Sequence, residues 1–179
     1  LLAREIGKKR VGRVWISGVC DPYQALEKKY QVTRRCLEVL LEHAWPVLIQ
    51  TKSTLVLRDL DLLEKAKDVE VGFSITTADD KIRKLFEPGA SPIQERIAAV
   101  EVLHIRGIRT FAMIAPLLPG AEGLVEKLPG KVDFILIDRL NYFYANRTYR
   151  ENKLEWARED SFFLRMAQEL KEGFSGKGI

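Results

Sequence analysis

Polar residues of different chemistry follow short apolar runs at four places in the chain. Ser17-Gly18-Val19-Cys20-Asp21-Pro22-Tyr23 follows RVWI, Gln50-Thr51-Lys52-Ser53 closes PVLIQT, Ser74-Ile75-Thr76-Thr77 closes VEVGFSIT, and Asp138-Arg139, then Asn141, follow KVDFILI. A carboxylate, an ammonium and several hydroxyls brought to one rim suit a ligand bearing both charges. A lysine ending an apolar strand is costly unless it reaches water, an anion or a carboxylate. Lys52 is open to three readings. It is a Schiff-base lysine if burial favours its neutral form, a clamp for a carboxylate or phosphate, or the partner of Asp21 or Asp138. Cys20 stands beside Asp21 and reads either as a radical or nucleophilic thiol or as a small buried hydrophobe.

Other reactive residue types read as structural. Cys36 falls on the apolar face of a helix and is expected in the core. His43 and His104 lie near helix C-termini, where the dipole favours them, and Asp79-Asp80 suits the first turn of a helix. The sequence shows no His/Asp/Glu metal constellation. Arg34-Arg35 is basic, and Arg147, Arg150 and Lys153 interleave with Tyr142, Tyr144 and Tyr149. That interleaving suits stacking on single-stranded nucleic acid, and equally a solvated loop.

The elements that must position these residues alternate. Strands are predicted at 13–17, 46–51, 69–76, 108–118 and 131–138. Helical apolar spacing marks 32–44, 57–68 and 154–172, with a helical turn over DDKIRKLFE and a short helix over AEGLVEKLPG. Ser91-Pro92 places a capping residue before a proline at the first helical position of IQERIAAVEVLHIRG, which Gly107 ends. Strand starts recur about every 30 residues, the length of a βαβ unit. Strands alternating with helices imply a parallel sheet whose polar chemistry gathers at strand C-termini. A closed eight-fold barrel takes about 250 residues, more than the 179 present. The fold class is therefore α/β, a partial, open (βα)n TIM-like barrel with a parallel sheet and about five to six βα units. A doubly wound sheet is the alternative, but no G-x-G-x-x-G follows the first strand.

Composition narrows the function classes. With 46% hydrophobic and 30% charged residues the chain is an ordinary globular one, which excludes a disordered tail. No apolar run approaches the roughly 20 residues of a membrane helix. Two cysteines exclude a disulfide scaffold. LLAREIGKKR puts charges where a signal peptide needs an apolar core, so the cytoplasm is the expected location. A net charge of +4 permits a nucleic-acid partner without requiring one.

The segments DPYQ, TKS with LRDLDLL, FSITT, and EPGA–SP–ER, in this order and spacing, resemble radical S-adenosylmethionine (SAM) proteins. The resemblance is to the spore photoproduct lyase-like group, often labelled DNA repair photolyase, and covers roughly residues 11–140. It implies a partial barrel that binds a 4Fe–4S cluster and SAM. An electron donor drives reductive cleavage of SAM to a 5′-deoxyadenosyl radical, which takes hydrogen from a substrate. The loop of Ser17, Gly18 and Asp21 would hold the methionyl amino group, Lys52 would face the carboxylate, and Ser74 would contact the ribose or carboxylate. Arg96 would orient Glu87 or the ligand. The group's namesake acts on a thymine dimer and uses a cysteine to return a hydrogen atom, a role for which Cys20 is the candidate here. Tyr142 and Tyr144 would line a base-sized pocket.

One departure stands out. The group's C-x3-C-x2-C cluster motif is absent, and Cys20 and Cys36 have the wrong number and spacing. The motif is expected upstream of Leu1, since the first residues read as a helix entered in mid-turn. The chain is accordingly expected to be a single radical SAM-type partial barrel over 1–179, without its N-terminal βα unit. Residues 173–179 are expected to form a flexible tail. By itself it would bind no cluster and catalyse nothing, and its first strand would be an exposed edge. Two other classes remain open: a Schiff-base barrel lyase using Lys52, and a non-catalytic module that binds nucleic acid or protein.

Overall fold

The computed structural model describes residues 1–16, 18–139 and 143–179. Helix α1 spans Leu2–Glu5 and strand β1 spans Val14–Ile16. Helices α2 (Glu27–Tyr30) and α3 (Val32–Glu42) lead to β2 (Val47–Thr51). A 3-10 segment over Thr54–Asp59 and helix α4 (Leu60–Leu63) lead to β3 (Val69–Ser74). Helices α5 (Asp80–Phe86) and α6 (Ile93–Ile105) precede β4 (Arg109–Ile114). Strand β5 is Phe134–Ile137, and α7 (Asn146–Glu151) and α8 (Asp160–Ser175) follow it.

All pairs are parallel, and the strand order is β1-β2-β3-β4-β5. A doubly wound sheet must reverse its strand order at a switch point. This sheet never does, so the barrel-type reading holds. β1 and β5 are its two edges.

Side chains alternate across a strand, so register sorts them onto two faces. Val47, Ile49, Val71, Phe73, Ala112 and Ile114 form one face and are buried, with α6 packed across β3 and β4. The other face carries Trp15, Leu48, Gln50, Glu70, Gly72, Ser74, Phe111, Met113, Phe134 and Leu136, aligned by strand register. It is the partly open, barrel-inner face: Trp15 is 57% exposed. In its middle layer a Cβ on Gly72 would stand 2.1 Å from Phe111 Cζ. Glycine there lets the Phe111 ring lie over the strand and stack on Phe134, with centroids 5.1 Å apart. Below it, buried Glu70 accepts from Arg13 at 2.9 Å and from Arg109 at 3.0 Å.

Several expected elements differ. The helix predicted over 57–68 is a 3-10 segment followed by one α turn. Asp59 must point inward to meet three donors, and the tighter winding delivers it there. Helix α6 does start after Ser91-Pro92, but Ser91 does not cap it. Asp80 Oδ1 takes the Ile93 N–H at 3.1 Å instead, while Ser91 Oγ accepts from Thr54 N. AEGLVEKLPG is helical only as a 3-10 turn over Ala121–Leu124. The helix predicted over 154–172 divides into a 3-10 turn at Glu155–Arg158 and α8, which continues through Ser175 with Phe174 buried. Helix α7 has no apolar stripe to announce it, since Tyr149 is its one buried residue. Gly107 ends α6 with φ +75°, the left-handed region glycine enters freely.

Candidate functional site

Asp21 joins the loop after β1 to the end of β2. Its Oδ2 accepts the Lys52 main-chain N–H at 2.6 Å, and its Oδ1 accepts from Thr51 Oγ1 at 2.7 Å and Tyr23 N at 2.9 Å. This answers one reading of Lys52. Asp21 binds the lysine's backbone, and the side chain goes elsewhere. The Lys52 ammonium lies 3.8 Å from Glu87 Oε1, and Asp138 accepts from the N–H of Arg139. Lys52 is 37% exposed, so it lacks the burial that a Schiff-base lysine needs.

Glu87 begins the EPGASP loop between α5 and α6 and is 8% exposed. Arg96 Nη1 donates to Glu87 Oε2 at 2.7 Å and to the Ser74 carbonyl at 2.8 Å, and Arg96 Nε donates to the Ser91 carbonyl at 2.6 Å. Arg83 holds the same loop from α5, donating to the carbonyls of Glu87 and Ala90. Asp80 grips Arg83 through both carboxylate oxygens, and that pairing holds Asp80 down at about 2. Arg96 is fully buried. Among the described residues, Arg96 Nη2, Glu87 Oε1 and Thr76 Oγ1 are buried without a hydrogen-bond partner. Ser74 is also buried, and its hydroxyl accepts from Gln50 Nε2 at 3.0 Å.

A cleft of about 430 Å³ opens at this rim. Asp21, Gln24 and Lys28 line one side of the strand ends, with Lys52, Ser53 and the Gly89–Ser91 stretch completing it. A buried ionic network braces its floor. Asp59, fully buried, accepts from Tyr23 Oη, Arg34 and Arg58. Arg58 reaches on to Glu27, whose carboxylate takes the N–H groups of Val32, Thr33 and Arg34 at the start of α3. Burial and the Asp59 charge push the Tyr23 phenol well above its ordinary value, which keeps it a donor. The LRDLDLL segment is thus a brace for the cleft.

The structure gathers Asp21, Lys52, Ser74 and Arg96 around this rim. Ser17, Tyr142, Asn141 and Leu140 lie outside the described residues. Gly18 is exposed, and a Cβ there would meet nothing within 4 Å. Cys20 is exposed, which overturns its reading as a buried hydrophobe. Cys36 is half-buried in an apolar groove with Leu2, Ile6, Val14 and Trp45. Among the described residues no three His, Cys, Asp or Glu side chains are grouped to hold a metal ion. Lys28 and the unpartnered Glu87 oxygen are site features that sequence reading alone left without a defined place. No helix among the described residues is long and apolar enough to cross a membrane.

A parallel, singly wound sheet with a charged cleft at its strand C-termini defines a barrel-type α/β domain. Residues 2–122 match the model of the Radical SAM superfamily, and the chain belongs to that superfamily. An uncharacterized protein of Methanocaldococcus jannaschii is 37% identical over 142 residues, covering 78% of this chain and 54% of that protein. The radical SAM Nalpha-GlyT isomerase of Pseudomonas phage M6 is 26% identical over 106 residues, 59% of this chain and 22% of that one. Spore photoproduct lyase complexed with dinucleoside spore photoproduct shares the fold. The match has TM-score 0.65 and 19% identity, over 97% of this chain and 60% of that one. The chain thus spans about half the length, or less, of the curated relatives it matches.

Proposed function

We propose that this chain is the SAM-binding barrel of a radical SAM enzyme of the spore photoproduct lyase-like kind. One observation carries the reading: the Lys52 ammonium and the Glu87 carboxylate stand side by side at the rim, with Arg96 fixing Glu87 from behind. SAM presents a carboxylate and an ammonium on one carbon, and opposite charges on the protein complement both. Lys52 would take the carboxylate. The Ser17, Gly18 and Asp21 loop would take the ammonium, and Ser74 the ribose or carboxylate. Arg96 acts through Glu87 as a positioning residue. Glu87 Oε1, held by a loose ion pair but no hydrogen bond, and Arg96 Nη2, also without a hydrogen-bond partner, support a charged ligand here, since buried polar atoms are otherwise satisfied.

Bound SAM with a 4Fe–4S cluster supplies the family's 5′-deoxyadenosyl radical, with an electron donor as partner. The cluster does not fit the residues present, because an exposed Cys20 and a half-buried Cys36 cannot provide three thiolates. No step is therefore assigned to either cysteine, and cluster chemistry belongs to the whole protein. The dinucleoside held by spore photoproduct lyase supports a nucleic-acid component as substrate.

Calorimetric titration of SAM, and of S-adenosylhomocysteine, into the protein tests the reading. Saturable binding that falls at least tenfold in Lys52→Ala, with an unchanged melting temperature, is expected. No saturable binding of either ligand overturns it. Anaerobic iron and sulfide reconstitution of the full-length gene product then reads the cluster by its visible absorbance.

A further inference from the structure

A second pocket lies at the other end of the same rim. It is lined by Leu117 from the loop after β4, Arg139 from just after β5, Tyr149 of α7, Ala157 and Arg158 of the following 3-10 turn, and Phe163 of α8. Its volume is about 60 Å³, room for one small polyatomic ion. Two guanidiniums and a phenol converge on it. Arg139 pairs with Asp160 and lies over the Phe163 ring at 5.8 Å. Arg158 lies over the Tyr149 ring, also at 5.8 Å. Among the described residues Arg158 has no carboxylate within ion-pair reach, and the Tyr149 hydroxyl has no hydrogen-bond partner, although Tyr149 is 2% exposed. The Tyr149 ring is buried while its hydroxyl meets the pocket, so the phenol and the exposed Arg158 guanidinium both keep donors for a bound group.

We propose that this pocket is a phosphate subsite, holding a phosphate group of the substrate at the β4–β5 end of the rim. A tetrahedral oxyanion has enough acceptor oxygens to meet Arg158, the Tyr149 hydroxyl and the remaining donors of Arg139 together. A carboxylate has two oxygens and serves fewer. The Asp160 carboxylate offsets Arg139, so Arg158 carries the attraction. The role as a substrate subsite rests on the reading of the rim as the reaction face. From the end of β2, where Lys52 sits, to the end of β5 is three strand spacings, or about 14 Å along the sheet. The substrate then carries its phosphate about that far from the SAM-binding end.

The test follows the Ala157 and Leu117 amides by NMR while methyl phosphate, dimethyl phosphate and acetate are added at constant ionic strength. Saturable shifts with a phosphate are expected, weaker by about tenfold or more in Arg158→Gln, the loss of one charged hydrogen bond. Tyr149→Phe, which keeps the ring, should weaken binding severalfold with its fold retained. Equal affinity for mono- and diester points to an internal phosphate of a polymer, and preference for the monoester to a terminal one. Shifts no larger than those from chloride, equal affinity for acetate, or unchanged binding in Arg158→Gln overturns the proposal. SAM titration of Arg158→Gln should match the wild type. Loss of SAM binding with phosphate binding intact would strike the rim reading alone.

Discussion

Glu87 divides its carboxylate between two cations: Oε2 is 2.7 Å from Arg96, and Oε1 is 3.8 Å from Lys52. The first contact is a fixed hydrogen bond and the second a looser ion pair, so Lys52 is the cation free to turn to a ligand. Lys52→Ala should therefore leave the melting temperature within about 1 °C, because partly exposed pairs contribute little. Lys52→Arg should keep part of the SAM affinity, and isothermal titration beside a thermal melt separates the two effects.

Arg96 is a different case. Replacing it with Met strands Glu87 as a buried charge and frees the carbonyls of Ser74 and Ser91. The expected cost is about 3–5 kcal/mol in chemical denaturation. The double variant Arg96→Met with Glu87→Leu should recover a large part of it. If the double variant is as unstable as the single one, the carboxylate is not the source of the loss.

Gly72→Ala should destabilise by about 1–3 kcal/mol, since its methyl group must displace a packed ring. Adding Phe111→Leu should restore part of that stability by vacating the space the Cβ needs. Additive losses in the double variant would show that the clash is not what matters.

Acid should weaken the fold through three carboxylates, one of them Glu27, which, against its burial, the Thr33 and Arg34 N–H groups and Arg58 hold below its ordinary value. Arg34 holds Asp61, and Arg83 holds Asp80, each down at about 2. A carboxyl with a lowered folded-state value stabilises above its ordinary value near 3.9 and loses that contribution as pH falls toward the lowered one. Stability should thus drop between about pH 4 and pH 2. Asp80→Asn, which cannot titrate, should show a shallower drop in acid-denaturation curves.

The sequence made the five strands legible because each is a short apolar run with a polar end, and their C-termini located the rim. What escaped it were partners set by distance along the chain. Nothing local says that Lys52 answers to Glu87, or that Asp80 rather than Ser91 caps α6. The 57–68 segment has helical spacing, yet Asp59 is drawn inward by Tyr23, Arg34 and Arg58, all supplied by tertiary packing. Arg96 is tied to Glu87 only through the family resemblance, since nothing in its own helix announces the buried carboxylate and the two carbonyls it serves.

The EPGASP loop has the composition of a protease-sensitive tip, with proline, glycine and small residues. Two arginines from different helices nevertheless bind its carbonyls at Glu87, Ala90 and Ser91. A protease must draw its target segment out into an extended strand, which here means breaking both guanidinium anchors together. Residues 87–92 should therefore resist limited proteolysis, and this stretch should be a poor place to insert a tag or a reporter.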